Sequence, residues 1–245
     1  MANLLDKYGI KEVADVVFYE IDGTTGEAGT PVLYLDTLKV STIEQTAENV
    51  AARGGKGNPE LVIWDFNKEI TLTLQDALFS ARSLSMMFGI ETPDEAANLR
   101  KTLPASQVVA GDGENASKYY FYDLEGNKVE LAEAALYKAD KSTASTLAEA
   151  DFVTGKINIT GYEFSIDAQK FPGTYYITGD TYSRSQKTGK DEYLQFIVPK
   201  AKMLSEVTLT MEAEGDPAVF DMNLKVLRPD DGKMLKLVKY DITKG

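Results

Sequence analysis

The first stretch whose residue types could do chemistry is AARGGKGNPELVIWD, residues 51–65, which is rich in glycine and weakly basic. Its centre holds Arg53, Gly54, Gly55, Lys56, Gly57 and Asn58. A phosphate-binding P-loop needs a hydroxyl residue directly after its lysine, a strand before the loop and a helix after it. Here Gly57 follows Lys56, Asn58-Pro59 favours a turn, and ELVIWDFNKEITLTL is typical of a strand. The pattern predicts the loop of a hairpin rather than a nucleotide site.

A second candidate is acidic, because Glu212, Glu214 and Asp216 lie two positions apart and would share one face of a strand. Calcium takes about six to eight oxygen ligands, and such a cluster could supply some of them. Gly215 and Pro217 indicate instead that the strand has ended and that these acids are solvated. We predict no metal site and no cofactor.

The chain contains no histidine and no cysteine. Triads with histidine, imidazole or thiolate metal sites and disulfides are therefore excluded. A carboxylate-based glycosidase stays open as an alternative, because it needs only two acids that face each other across a cleft. With 38 acidic residues, nothing in the sequence selects such a pair. We predict no catalytic residues and no enzyme activity.

The run Tyr119–Tyr122 could form an aromatic platform on which a sugar or a base stacks. Neighbouring residues of a strand point to opposite faces, so at most half of these rings could share one surface. A partly buried strand with tyrosine hydroxyls at its edge explains the same pattern. We favour that interpretation.

The formal net charge is −12, which does not favour nucleic-acid binding, because affinity for phosphate comes mostly from Lys and Arg. No uncharged apolar run approaches the length of about 18 residues that a membrane-spanning helix needs. The start of the chain, MANLLDKYGIKEVADVV, has acids and no signal-peptide core. We expect a soluble protein without a membrane partner or a standard leader.

Strand patterns dominate the first third of the chain, after a short helix or arm at residues 2–13. DVVFYEI is predicted to be a strand, and residues 32–75 a long hairpin whose loop is the glycine-rich stretch. In EITLTLQ, Ile70, Leu72 and Leu74 alternate with Thr71, Thr73 and Gln75, which predicts an apolar inner face and a polar outer face. The spacing in residues 76–89 predicts a helix with Asp76 as N-cap and Gly89 as stop.

Residues 91–150 contain shorter predicted elements, polar turns and several alanines. They are predicted to be an insertion, or decoration, within a single domain of residues 1–245. They contain a predicted hairpin about residues 125–127 and a predicted short helix at 129–139. A second long hairpin follows, TYYITGDTYSR and DEYLQFIVPKAK, and its basic tip carries Arg184, Lys187 and Lys190. The last third again favours strands, with a DDGK turn. The fold class is mainly β with some α (α+β).

Two segments resemble the tail tube (major tail) proteins of tailed bacteriophages. They are ENVAARGGKGNPELVIWDFNKEITLTLQDALFSA and EYLQFIVPKAKMLSEVTLTMEAEGDPAVFDMNLKVLR. The resemblance covers most of residues 30–90 and 150–240, whereas residues 91–150 match no family that we can name. It implies a β-sandwich or small barrel with a flanking helix. It also implies two long hairpins that join those of neighbouring subunits in a shared β-barrel.

The resemblance further implies a virion structural protein whose rings, usually hexameric, stack into the tube through which DNA is ejected. Expected partners are further copies of the chain, the tape measure, terminator and baseplate proteins and, in a contractile tail, the sheath. Genomic DNA passes through without specific binding. The tail of the virion is the expected location, after assembly in the host cytoplasm.

Two hypotheses connect this family to individual residues. Arg53–Asn58 form a loop at a subunit or ring contact, where glycine permits close approach of another chain. Thr71, Thr73 and Gln75 line the lumen. A carbohydrate-binding β-sandwich, with calcium at the Glu212 cluster, is the alternative function.

Overall fold

The computed structural model describes residues 6–90, 93–209 and 219–241. The chain divides into two compact units, one built from residues 1–92 and 164–245 and the other from Pro93–Glu163. Each unit has its own apolar core. We call the second unit, residues 93–163, the inserted unit, and the description of residues 91–150 as an insertion within a single domain stays a prediction.

Fourteen strands lie in the described residues. In chain order they are β1 (Tyr8–Ile10), β2 (Asp15–Ile21), β3 (Ala28–Leu35), β4 (Leu38–Arg53), β5 (Glu60–Asp76), β6 (Asp94–Pro104), β7 (Val109–Ala110), β8 (Tyr119–Tyr122), β9 (Lys128–Tyr137), β10 (Phe152–Glu163), β11 (Thr174–Ser185), β12 (Asp191–Met203), β13 (Phe220–Val226) and β14 (Lys236–Tyr240). One α-helix, α1 (Ala81–Phe88), is described with them. Three short 3₁₀ turns complete the described elements, Ala105–Gln107, Gly113–Asn115 and Leu147–Glu149.

The larger unit is a nine-stranded antiparallel sheet with the order β3-β2-β11-β12-β13-β5-β4. The strand β1 pairs with the outer part of β11, and β14 pairs with the outer part of β12. Leu33 of β3 and Leu72 of β5 belong to one buried cluster although their strands lie near opposite ends of this order. The sheet therefore curls around a common core.

The alternation that the sequence shows in β5 is confirmed by burial. Ile70, Leu72 and Leu74 enter the core, and Leu72 is completely buried. Thr71, Thr73 and Gln75 lie on the opposite face, which we call the polar face of the large sheet. A period of two fits a sheet that buries one face only.

Both long hairpins are confirmed. β4 and β5 pair from Leu38↔Asp76 to Arg53↔Glu60, so the first hairpin begins at residue 38 rather than 32. β11 and β12 pair from Thr174↔Lys202 to Arg184↔Asp191. A helix at residues 2–13 is wrong for the described part, because Tyr8–Ile10 is a strand beside the tip of the second hairpin. The alternative, an arm, stays a prediction.

The helix begins later than the sequence pattern predicts. Asp76 is the last residue of β5 and accepts a hydrogen bond from the Thr37 hydroxyl at 2.5 Å, so it does not cap the helix. Ser80 is the N-cap, and its side chain exchanges hydrogen bonds with Ser83 in a capping box. Gly89 ends the helix in the left-handed region with φ 73°, as predicted.

The inserted unit is a five-stranded antiparallel sheet with the order β6-β10-β9-β8-β7. The hairpin about residues 125–127 is confirmed, since β8 and β9 pair on either side of it. The predicted helix at 129–139 is wrong, because Lys128–Tyr137 is a strand between β8 and β10. Pairing on both edges outweighs the helix propensity of its alanines.

The expectation of a mainly β protein with one flanking helix is therefore confirmed, in the form of two antiparallel sheets. Within the described ranges the sheets do not close into a barrel. In the same ranges no helix has both the length and the apolar character needed to cross a membrane.

Candidate assembly interface

The first hairpin has two halves with different surroundings, separated by a β-bulge. The bulge falls where the register shifts between Thr46 and Glu48, and the extra residue is on β5, where Asn67 adopts φ 49°. The inner half, next to α1, contributes to the core. We call residues 48–66 the outer half, and its strands are paired only with each other in the described residues. Bulges of this kind redirect a hairpin.

The outer half exposes large apolar side chains. On one face Val50 lies opposite Trp64, and Val62 and Phe66 flank Trp64 at a period of two. Trp64 is 55% exposed and Phe66 is 44% exposed. Leu61 and Ile63 are exposed as well. A contiguous apolar surface on a projecting, unpaired hairpin marks an interaction site rather than an ordinary surface.

The tip of this hairpin is the glycine-rich loop that the sequence singled out. Gly55, Gly57 and Asn58 all have positive φ, which explains the residue types at these positions. Arg53 forms an ion pair with Glu60 of the same chain, directly across the hairpin. Lys56 has no ion pair among the described residues. The tip therefore presents one uncompensated positive charge.

On the polar face, the side chains predicted to line a lumen meet those of β13. The Thr73 hydroxyl donates to Oδ1 of Asn223 at 3.1 Å, and Gln75 lies opposite Asp221. Thr71 lies opposite Lys225, whose Nζ pairs with Glu69 at 2.7 Å. This part of the polar face thus contains a side-chain hydrogen bond between strands, Thr73 to Asn223, and carries both signs of charge.

The polar face continues onto the second hairpin as a row of aromatic and acidic groups. Tyr193 stacks on Tyr240 at 5.3 Å between ring centroids and tilts against Tyr182 at 5.4 Å. Asp180 accepts from the Gln195 amide at 2.9 Å and from the Tyr240 hydroxyl at 3.3 Å. Loss of hydration, followed by the charge of Asp180, raises the pKa of Tyr240. Sequence reading missed this row, because strand pairing brings its members together.

The second hairpin turns between Ser185, where β11 ends, and Asp191, where β12 begins. Arg184 holds Asp191 through two hydrogen bonds of 2.6 and 2.8 Å. This contact raises the pKa of Arg184 and lowers the pKa of Asp191. Lys187 and Lys190 have no ion pair within the described ranges. A forked pair of this type fixes the plane of the guanidinium.

The other candidate residues do not form a chemical site. Glu212, Glu214 and Asp216 lie outside the described residues. No group of three or more acids suited to a metal is present in the described parts of the chain. In the run Tyr119–Tyr122, Phe121 is buried and Tyr122 is exposed, as expected for a strand with one face in a core.

The exposed apolar surface of the outer half is typical of a protein that assembles with other chains. The YomU/Tube protein family matches residues 8–239, and the chain belongs to this family. It is also 24% identical, over 94% of its length and 87% of the relative, to a protein named "Tail tube protein" of Bacillus phage SPR. The resemblance to phage tail tube proteins is thereby confirmed.

Family membership gives the chain a structural role in a phage tail tube, with the virion tail as its location. It also implies self-association, contacts with other tail proteins and a role that is not enzymatic. The sequence did not single out Val50, Val62, Trp64 and Phe66 as functional. The available signal was a run of apolar residues on both faces of one long strand, which a one-sided core cannot cover.

Proposed function

We propose that this chain self-assembles into hexameric rings that stack into a tube and that the shared lumen conducts DNA during ejection. The observation that carries the proposal is the outer half of the first hairpin, which is apolar, exposed and unpaired along both edges in the described residues. Each Val, Leu, Ile or Phe side chain that becomes fully buried contributes about 1.5–3 kcal/mol. Several such side chains supply enough free energy to drive association.

The order of the strands supports a ring rather than an open pair. The sheet ends at β4 on one side and at β3 on the other, so each copy has two different free edges. A contact between one end of the sheet and the opposite end of the sheet in the next copy is heterologous. Such contacts close into a ring when the rotation that relates neighbouring copies permits it. Closure into a shared barrel removes the exposed edges.

We assign to the lumen only the part of the polar face that the inner half of the first hairpin and β13 form, with Thr71, Thr73 and Gln75 among its lining. The same part bears Glu44, Glu69 and Asp221. A lumen rich in hydroxyl, amide and carboxylate groups gives DNA little counterion-release affinity, so DNA slides without adhering. The overall charge of −12 agrees with this assignment.

The lumen assignment can be tested by thiol labelling, because the chain contains no cysteine. Cysteine replaces Thr71, Thr73 or Leu72 in assembled tubes, and a membrane-impermeant maleimide is added. We expect labelling at the two threonine positions and none at Leu72 until the protein is unfolded. Equal labelling of Thr73→Cys with and without an end-plugging DNA would place this residue outside the lumen.

We assign both hairpin tips to contacts between copies. These are Arg53, Gly54, Gly55, Lys56, Gly57 and Asn58 in the first hairpin, and Arg184, Lys187 and Lys190 in the second. Replacing residues 54–59 by Asn-Gly preserves a two-residue hairpin turn. We expect a folded protein that forms short or unstable tubes, and tubes of normal length and stability would refute the role of the first tip.

At the tube ends, the proposed partners are the tape measure, terminator and baseplate proteins, with the sheath added in a contractile tail. Assembly takes place in the host cytoplasm and needs no membrane. Negative-stain electron microscopy, with sedimentation velocity across a concentration series, tests the proposal as a whole. Hollow rings or tubes with a regular repeat support it. A protein that remains monomeric even with initiator proteins would refute it.

A further inference from the structure

Trp64 is the one tryptophan of the chain, and it lies in an unusual position. Its side chain is 55% exposed at the centre of the apolar face of the outer half, with Val62 and Phe66 beside it on the same strand. Tryptophan has the largest apolar area of any side chain and is enriched among the residues that dominate interface energetics. An exposed tryptophan among other apolar side chains is typical of an interface anchor.

A groove of about 290 Å³ lies where β1 runs beside the outer part of β11, away from the end of the sheet that carries the first hairpin. Ile10 and Tyr182 line it and are 62% and 50% exposed. Arg184 and Asp191 form one wall, and their two hydrogen bonds hold the guanidinium in a fixed plane. Gly9 also lines the groove, and a Cβ at Gly9 would meet no atom within 4 Å.

We propose that Trp64 of one copy inserts into this groove of the next copy in the ring. The indole would contact Tyr182 over the open space at Gly9, and the fixed guanidinium of Arg184 would lie against an aromatic face, an interaction worth about 0.5–2 kcal/mol. The proposal rests on the proposed function and names the contact that joins two neighbouring subunits. It assigns Arg184 a binding role that its ion pair with Asp191 prepares.

The strand order explains why the partner is a second copy rather than the same chain. The first hairpin belongs to the end of the sheet that β4 terminates, whereas β1 flanks β11 on the side of β2 and β3. A contact between these two ends repeats in one direction from copy to copy. Heterologous contacts of this kind form a closed ring when the rotation between neighbouring copies permits it.

Tryptophan fluorescence tests the contact directly, because all tryptophan emission comes from this one residue. We expect the emission maximum to shift to shorter wavelength as the wild-type chain assembles and the indole leaves water. Trp64→Ala should raise the protein concentration needed for assembly by at least about tenfold, the effect of losing one interface anchor. Trp64→Ala tubes that form at the wild-type concentration would overturn the proposal.

A groove-filling variant has a matched control. Gly9→Phe places a ring in the groove, whereas Gly161→Phe adds the same ring in the inserted unit, and at both glycines a Cβ would be in open space. We expect Gly9→Phe to remain unassembled with the emission of a solvated indole, and Gly161→Phe to assemble like the wild type. Assembly of Gly9→Phe with an unchanged blue shift would overturn the proposal.

Cross-linking then identifies which two copies meet. Val62→Cys and Gly9→Cys are prepared separately from the cysteine-free chain, mixed and oxidised. The proposal predicts disulfide-linked dimers in the mixture and none in either variant alone, while the double variant gives a ladder that ends at the closed ring. If the wild type forms rings but the mixed cysteine variants give no disulfide-linked dimers, the groove contact is refuted and the tube function is left intact. A wild type that never assembles would refute both.

Discussion

At the residue scale, Gly89 combines two constraints that no other residue type satisfies. It ends α1 with φ 73°, and a Cβ there would lie 2.5 Å from the carbonyl carbon of Phe171. The segment that follows the inserted unit therefore packs directly on the end of the helix. Close approach of two backbones depends on this missing side chain.

Gly89→Ala is expected to lower the free energy of unfolding by about 2–4 kcal/mol, because it adds left-handed strain and overpacking together. Gly26→Ala is the matched control, since Gly26 has φ 72° and a Cβ there would meet nothing within 4 Å. That variant should cost about 1 kcal/mol, from strain alone. Urea unfolding measures both, and equal losses would contradict the close packing against Phe171.

A second prediction at this scale concerns alkaline stability. Burial raises the pKa of Tyr175 above its ordinary value of 10.0, so the hydroxyl ionises later in the folded protein than in the unfolded chain. Above about pH 10 the unfolded chain has lost this proton and the folded protein has kept it, so stability falls as pH rises. We expect Tyr175→Phe to lose stability less steeply than the wild type as the pH rises above about 10. Parallel curves for the variant and the wild type would contradict this.

At the element scale, the first hairpin has one half that stabilises the subunit and one half that is available to join subunits. Leu72 in the inner half is completely buried, whereas Val62 in the outer half is 49% exposed. The β-bulge at Asn67 separates the two environments. In one continuous pair of strands, the inner half therefore packs in the core and the outer half stays exposed.

The two halves are expected to respond differently to truncation. Leu72→Ala should lower the free energy of unfolding by about 2–5 kcal/mol, because it leaves a cavity in the core. Val62→Ala should change the stability of the monomer by less than about 0.5 kcal/mol and should raise the concentration needed for assembly. Thermal unfolding and sedimentation velocity separate the two effects. A strongly destabilised Val62→Ala monomer would show that the outer half packs within its own subunit.

At the scale of the whole molecule, the inserted unit begins and ends on neighbouring strands. Asp94 of β6 pairs directly with Glu163 of β10, so its two connections to the rest of the chain lie side by side. Its core of Val108, Phe121, Leu131, Leu136, Ala144, Val153 and Ile157 is its own. A unit with these properties can be removed without stretching the remaining chain.

Replacing residues 93–163 by a short Gly-Ser linker is expected to leave the larger unit folded, because its buried cluster contains no residue of the inserted unit. Circular dichroism should retain a cooperative thermal transition, and electron microscopy should still show tubes. A variant that folds but forms no tubes would show that the inserted unit takes part in assembly. Residues 93–163 expressed alone provide the complementary sample.

The sequence by itself determined the features that depend on local pattern. The alternation from Ile70 to Gln75, the tip at residues 53–58 and the helix stop at Gly89 follow from side-chain period and backbone preference, which act over a few residues. The two hairpins follow from the same patterns in succession, whereas the family resemblance depends on the two segments quoted for it.

Tertiary structure decided the features that depend on distant partners. Lys128–Tyr137 is a strand because β8 and β10 pair with both of its edges. The helix has Ser80 as its N-cap because Asp76 is the last residue of β5 and its carboxylate accepts a hydrogen bond from Thr37. The groove beside β1 exists only because residues 8–10 pair with residues 183–185. Contacts between residues so far apart in the chain are set by the packing of the whole sheet, which no local pattern encodes.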